Sequence, residues 1–302
     1  MLNLSMFDGY SFIRAKQINK GFSGDKKYRL DTEDGQRFLL RISDAKRHEK
    51  KEKCFHRIQR ANEIGILTPK PVWFGSACNE HEVYTLLSWV DGKNAKSVLL
   101  SLEKSEQFKY GVEAGKMLRR FHDNCPTDKK LDWQSRYFDV IGPRLDAYRR
   151  EGIHFEGSEV ILEYLERSKY LLKNRPQTHH HGDFHLDNMV ISNDGCLNII
   201  DWDIADFDNV GDPWYEFNRI GIEIPAFATG QINGYFNSNV PDEFWQLLAF
   251  YLAASAITSI VWAKYNAPEI VDRKIELNRQ ILRNFDGMNR TVPLWYDKTL
   301  YA

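Results

Sequence analysis

The chain has 302 residues, of which 42% are hydrophobic and 27% charged, and its formal net charge is −1. This composition supports a folded core and excludes a disordered chain. The near-zero charge argues against a dedicated nucleic-acid binder, whose footprint is strongly basic. The length allows one large domain or two modest ones.

The opening MLNLSMFDGYSF lacks the basic start and sustained apolar run of a signal peptide. Two β-prone runs follow, around Lys27–Leu30 and Arg37–Ile42, joined by the turn signal TEDG and preceded by a Gly-Ser-Gly loop. HEKKEKCFHRIQRANEIGI then places Phe55, Ile58, Ala61 and Ile64 at helical spacing, ended by Pro69 and Pro71. VWFG and EVYTLLSWV read as two more strands, and Asp91-Gly92 breaks the pattern. After Lys93 the chain turns helical, with SEQFKYGVEAGKMLRRFHDN and EVILEYLERSKYLLKN, and carries a small hairpin formed by NMVIS, NDG and LNIID.

FWQLLAFYLAASAITSIVWA has no charged residue and the length of a membrane span. Its Gln, Ser and Thr residues, and the absence of other membrane features, favour a buried core helix. The four cysteines, Cys54, Cys78, Cys125 and Cys196, make no CxxC pair. Neither a zinc site nor a disulfide framework is expected, and a reducing cytoplasm fits best.

Charge is uneven along the chain. RISDAKRHEKKEKCFHRIQR is mostly basic and reads as a solvated helix face. From Asp201 to Phe250 nine acids face a single cation, Arg219. These acids either form a wet loop or line an acidic pocket that would attract a cationic ligand. Asp203, Asp206 and Glu216 are the candidates for such a pocket.

The densest chemistry lies in HHHGDFHLDN and IIDWDIADFDNVGDP. Zinc bound by the histidines is disfavoured, because neighbours on an extended stretch point to opposite faces and no distant Cys/His set completes the ligands. Phosphoryl transfer fits better. It needs a carboxylate beside the attacking hydroxyl, metal on the phosphates, a cation and a covering loop. Kinases place the catalytic Asp five positions before a metal-binding Asn, and Asp183 and Asn188 have that spacing. Asp201 stands thirteen residues after Asn188, directly beyond one hairpin, where a second metal ligand belongs. One Asn and one Asp suffice for magnesium, which keeps several of its waters.

HGDFHLDN followed by IIDWD and GDP resembles the aminoglycoside phosphotransferase family. GFSGDKKYRL, FLLRIS, LLSWVDG and GDPWYEF resemble further family elements, in the family's order, from about Gly21 to Phe217. The resemblance implies an α+β, bilobal, protein-kinase-like fold. A nucleotide-binding lobe with an antiparallel sheet would span 1–89, and a mainly helical catalytic lobe 90–302. It implies a small-molecule kinase using Mg2+ and ATP or GTP, with Asp183 accepting the proton of the acceptor hydroxyl. Asn188 and Asp201 would hold metal, and His181 would shape the catalytic loop.

Ser23 would lie over the phosphates, and Ser88 and Val90 would meet the purine through their backbones. Ile200 joins the nucleotide contacts. The phosphate-binding cation, a Lys in many relatives, is Arg41, which keeps charge and offers a planar fork. Its steadying glutamate would be Glu52, with Glu49 as alternative. The expected acceptor is a cationic antibiotic, an aminoglycoside first, with macrolides or basic peptide antibiotics as rivals. A choline- or homoserine-type metabolite kinase and a nucleotide-binding relative without turnover are the other readings. No nucleic-acid or membrane partner is expected, and a monomer is favoured.

Overall fold

The computed structural model describes residues 2, 4–19, 24–76, 81–129, 131–203, 206–220 and 223–301. By its internal contacts the chain forms two compact units. The first comprises residues 1–95 and 187–203, and the second 96–186 and 204–302.

The first unit is built on an antiparallel sheet of β1 (Phe12–Ile18), β2 (Lys26–Thr32), β3 (Arg37–Asp44), β4 (Pro71–Ser76) and β5 (Glu82–Ser88), in the order β1-β2-β3-β5-β4. Helix α1 (His48–Glu63) packs against β4 and β5. Alternation along β3 decides what each face does. Phe38, Leu40 and Ile42 join Phe7, Leu30, Tyr84 and Leu86 in the core of the unit. Arg41 and Ser43, of the opposite parity, instead meet a cluster of charges described below.

Strand β1 was not expected. Five of its seven residues are exposed, so it has no apolar alternation to betray it, and its charges suit an unprotected sheet edge. A second, three-stranded sheet contains β6 (Gly92–Asn94), β8 (Met189–Ser192) and β9 (Leu197–Ile199). Strand β6 pairs with β8, and by internal contacts the hairpin groups with residues 1–95.

The second unit holds α2 (Ala95–Leu99), α3 (Lys104–Asn124), α4 (Trp133–Arg150), α5 (Ser158–Arg167), α6 (Pro225–Phe236), α7 (Asp242–Asn266) and α8 (Val271–Asn284). It also holds the two-residue strands β7 (Thr178–His179) and β10 (Val210–Gly211), which pair with each other. The apolar stretch from Phe244 is α7, and 83% of its most apolar window is buried inside the structure, packed by α4, α5 and α8. Its apolar surface is therefore that of a core helix. Helix α4 escapes the sequence reading because Gly142-Pro143 stands in its middle.

Helices α3 and α6 touch backbone to backbone. Gly111 and Gly115 on one helix and Gly230 and Gly234 on the other are each four residues apart. A Cβ at any of them would overlap a carbonyl oxygen of the partner helix, such as that of Phe227 or Phe108. Backbone cannot yield as a side-chain tip can. Gly111→Ala and Gly230→Ala should therefore each cost about 1–3 kcal/mol, the usual cost of overpacking, read as a lower midpoint in urea unfolding. An unchanged midpoint would show that the helices separate freely.

Candidate active site

In the second unit, the run from His179 to His185 is fixed by its own polar groups. His180 is buried and donates through Nε2 to the Asp212 carbonyl (2.9 Å). His181 is fully buried against the Phe184 ring and accepts at Nδ1 from the Asp183 amide (3.2 Å). Gly182 takes φ 93°, which favours glycine, and donates its amide to the Glu216 carboxylate (3.0 Å). Asn209 accepts from the His180 amide (2.8 Å) and donates its side chain to the His181 carbonyl (3.2 Å). Three of the histidines thus serve or flank the loop, and the fourth, His185, sits 3.1 Å from Asp183 through Nε2. Among the described residues no group of three or more His, Cys, Asp or Glu side chains is placed to hold a metal ion.

Asp183 is presented by this turn, with Arg219 and His185 on its two oxygens. Burial alone would raise its carboxyl. The hydrogen bond from His185 and the charge of Arg219 overcome that and bring it down to about 2.

GDP, the tripeptide at Gly211, has a separate physical reason at each position. A Cβ on Gly211 would run into the Trp133 ring. Asp212 is fully buried and caps the short helix Pro213–Arg219 through the Trp214 amide (3.0 Å). It also takes Arg175 at 2.7 Å and the Tyr251 hydroxyl at 2.8 Å. Pro213 fills the first position of that helix, where no donor is missed.

In the first unit, Asn188 and Asp201 share one end of the β8–β9 hairpin. The Ile200 amide donates to the Asn188 carbonyl (2.9 Å), so the two candidate metal ligands flank one backbone hydrogen bond. Asp201 has φ 61°, an unusual value for a non-glycine residue of the kind that gathers at functional sites. The donor set is all oxygen, as magnesium requires. Nearby, Asp203 Oδ1 is buried with no hydrogen-bond partner, an orphaned acceptor that suits a cation or its water shell.

Arg41 is only 7% exposed. Its expected partner Glu52 is not what it meets. It pairs with Asp25 (2.8 Å), Asp201 (2.9 Å) and Asp203 (2.6 Å). The cause is the rotation of α1, whose buried residues are Lys51, Cys54, Ile58 and Ala61. Glu52 is one position off that face, and Glu49 is exposed and paired with Lys53 (2.6 Å).

Two further expectations are corrected. Asp203 is buried and engaged by Arg41 and Lys51, and Glu216 is 3% exposed and engaged by Gly182, so neither is a free acceptor-binding carboxylate. The Ser88 amide donates to the Lys70 carbonyl (2.8 Å). Val90 follows it, half-buried. Ser23 and the side chain of Asp206 lie outside the described residues. Sequence reasoning missed Asp25, Lys51, Arg175, Asp212 and Asn209. Of these only Asp212 carried a local signal, its place in GDP.

Residues 14–245, well over half of the chain, match the model of the phosphotransferase enzyme family. Among curated proteins none matches the chain in sequence. Among solved structures, the GDP complex of an aminoglycoside 2'-phosphotransferase IIIa mutant superposes with a TM-score of 0.66 at 13% identity, covering 94% of this chain and 96% of that one. A choline/ethanolamine kinase family protein from Mesorhizobium loti gives 0.63 at 13% identity, covering 95% and 94%. An amicoumacin kinase in complex with AMP-PNP, Ca2+ and Ami gives 0.63 at 12% identity, covering 94% and 92%. Identities this low speak to the fold alone, and the fold they share is that of the protein kinases. With the family match over residues 14–245, the chain belongs to the phosphotransferase enzyme family, that of the aminoglycoside phosphotransferases.

Proposed function

We propose that this protein is a magnesium-dependent kinase that transfers the γ-phosphoryl group of ATP or GTP to a hydroxyl of a cationic small molecule, an aminoglycoside being the first candidate. The observation that carries the reading is Asp183, a half-buried ionised carboxylate held by a braced turn five residues ahead of Asn188. Its low affinity for protons makes it a weak base. Its contribution is to orient the acceptor hydroxyl and take the proton late, which is what a loose phosphoryl-transfer transition state asks for. Asn188 and Asp201 would hold magnesium, whose charge when bound neutralises phosphate oxygens. Arg41 would offer its fork to the phosphates. Ser88, Val90 and Ile200 remain candidates for the purine side, and Ser23 for the phosphate side.

One observation favours a second reading. Asp203 and Glu216 are engaged within the protein, so the acidic stretch offers an incoming cation less than its sequence promised. A metabolite hydroxyl is the alternative acceptor.

Release of nucleoside diphosphate, measured with magnesium, ATP or GTP and a panel of antibiotics and metabolites, tests the reaction. Asp183→Ala should lower turnover by about 10²–10⁴-fold while nucleotide still binds, and undiminished turnover would refute its role. Asp201→Ala should weaken magnesium-dependent nucleotide binding in titration calorimetry, and an unchanged isotherm would remove it from the metal site. For a cationic acceptor the KM should rise with salt, whereas a flat response supports an acceptor without net positive charge.

The state of Asp183 is testable apart from turnover. Its carboxyl lies at about 2 in the folded protein, below the ordinary value for Asp. Its ionised form therefore adds stability above that ordinary value and loses it as pH falls through about 2. Arg219→Ala removes one of the lowering charges, so the carboxyl should titrate higher in carbon-detected NMR. An unmoved titration would show that Arg219 does not act on it.

A further inference from the structure

The charge cluster around Arg41 is arranged differently from a simple cation–glutamate pair. We propose that Asp25, immediately before β2, is the positioning residue that orients Arg41 for nucleotide phosphates, and that α1 contributes a cation, Lys51, as its counter-charge. This rests on the kinase reading above and deepens it.

Asp25 is placed to do this. Its side chain is wholly buried, and one oxygen, Oδ2, takes both Nε (3.1 Å) and Nη2 (2.8 Å) of Arg41. That fixes one edge of the guanidinium plane. Asp203 takes Nη2 as well (2.6 Å). Only Nη1 faces a carboxylate with substantial exposure, Asp201, whose side chain is 37% exposed. The fork is thus held from the inside, with one donor pair turned toward the accessible carboxylate that is the candidate metal ligand. A group that orients a phosphate-binding arginine has to leave it in this state.

The same geometry explains why α1 shows a cation. Asp25 and Asp203 are two buried carboxylates meeting on one side of Arg41, and their repulsion needs more than one positive charge to offset it. Lys51, 3% exposed, bridges both of them, and Arg47 adds its guanidinium to Asp25 (2.7 Å). Ser43 donates its hydroxyl to the other Asp25 oxygen (3.0 Å). Burial would raise the Asp25 carboxyl, but the hydrogen bonds and charges of Lys51 and Arg41 hold it well below the usual carboxylate range. Lys27, the cross-strand neighbour of Arg41, adds a further half-buried cation, its proton affinity lowered by burial and by Arg41. If Asp201 turns to a metal ion, positive charge is left in excess beside it, which suits a polyphosphate. A glutamate on α1 would have no place among these carboxylates, and Glu52 lies off the buried face.

The test compares Asp25→Asn, Glu52→Gln and the charge-balanced pair Asp25→Asn/Lys51→Met, reading Kd for magnesium–AMP-PNP and magnesium–GMP-PNP, nucleotide KM and thermal melting. Asp25→Asn alone leaves Lys51 underpaired and can fail to fold, which is why the pair is included. The expected result is that the pair recovers the melting temperature, yet its nucleotide Kd and KM stay raised by about ten- to a hundredfold, the usual effect of losing a group that orients a binding side chain, with acceptor KM unmoved. Recovery of both melting and nucleotide affinity in the pair would make Asp25 a structural ion only and overturn the inference. A loss at Glu52→Gln as large as that at Asp25, or the only loss seen, would return the role to the helix glutamate and overturn it too. An unmodified protein that binds neither nucleotide would remove the kinase reading itself, whereas binding that is indifferent to Asp25 removes this inference alone.

Discussion

A carboxylate with no access to water is costly unless its oxygens are hydrogen-bonded, and in the second unit the carboxylate so held is Asp212. It draws together Arg175, the Tyr251 hydroxyl from α7 and the Trp214 amide, while its own carbonyl receives His180. Breaking a buried pair leaves an uncompensated charge, which costs several kcal/mol, about 3–5 in measured cases. The arrangement is therefore close to all-or-none. Its relevance to chemistry is that His180, His181 and Gly182 are consecutive residues tied to Asp212, Asp183 and Glu216 respectively. The direction of the Asp183 carboxylate is set by the backbone of a turn whose neighbours are pinned to a buried ion.

Much of this was legible in the order of residues. The spacing of Asp183 and Asn188 is a motif, the hairpin that precedes Asp201 follows from its turn chemistry, helix Lys104–Asn124 from its periodicity, and helix Asp242–Asn266 from its long uncharged apolar run. What escaped had no local signature. Strand β1 carries its charges in the open, and α4 tolerates a proline that usually ends a helix. The partners of Arg41 stand 16, 160 and 162 positions away, and no window of sequence contains them together. Helical spacing shows that α1 has two faces, but Lys51 reads as a solvent-side residue until Asp25 and Asp203 are seen beneath it.

The acid-rich window after Asp201 carries the same lesson in electrostatic terms. Counted along the chain, it looks like a negative field. In three dimensions Asp203 and Asp212 are buried and paired with cations, Glu216 is buried with its carboxylate on the Gly182 amide, and Glu223 is paired with Lys96 and Arg273. A field at a surface comes from charges that remain uncompensated near it. Composition counts the charges without saying which of them cancel.

Helix α7 has little polarity difference around its circumference, sixteen of its 25 residues being buried. Such a helix carries scant instruction about its own rotation, since nearly any side is fit for a core. Orientation must come from a few polar anchors, of which the Tyr251 hydroxyl, shared by Asp212 and the Trp133 indole (2.8 Å each), is the best defined. There is a consequence in time. Apart from α8 and the short turn at Pro268–Ile270, the elements packed on α7, namely α4, α5 and the short helices at Lys169–Leu172 and Pro213–Arg219, precede it in the chain. A polypeptide made from its N-terminus thus has part of the receiving surface already synthesised when this adhesive segment leaves the ribosome, and α8, which follows at once, completes the cover. The interval in which it is exposed to other chains is correspondingly short.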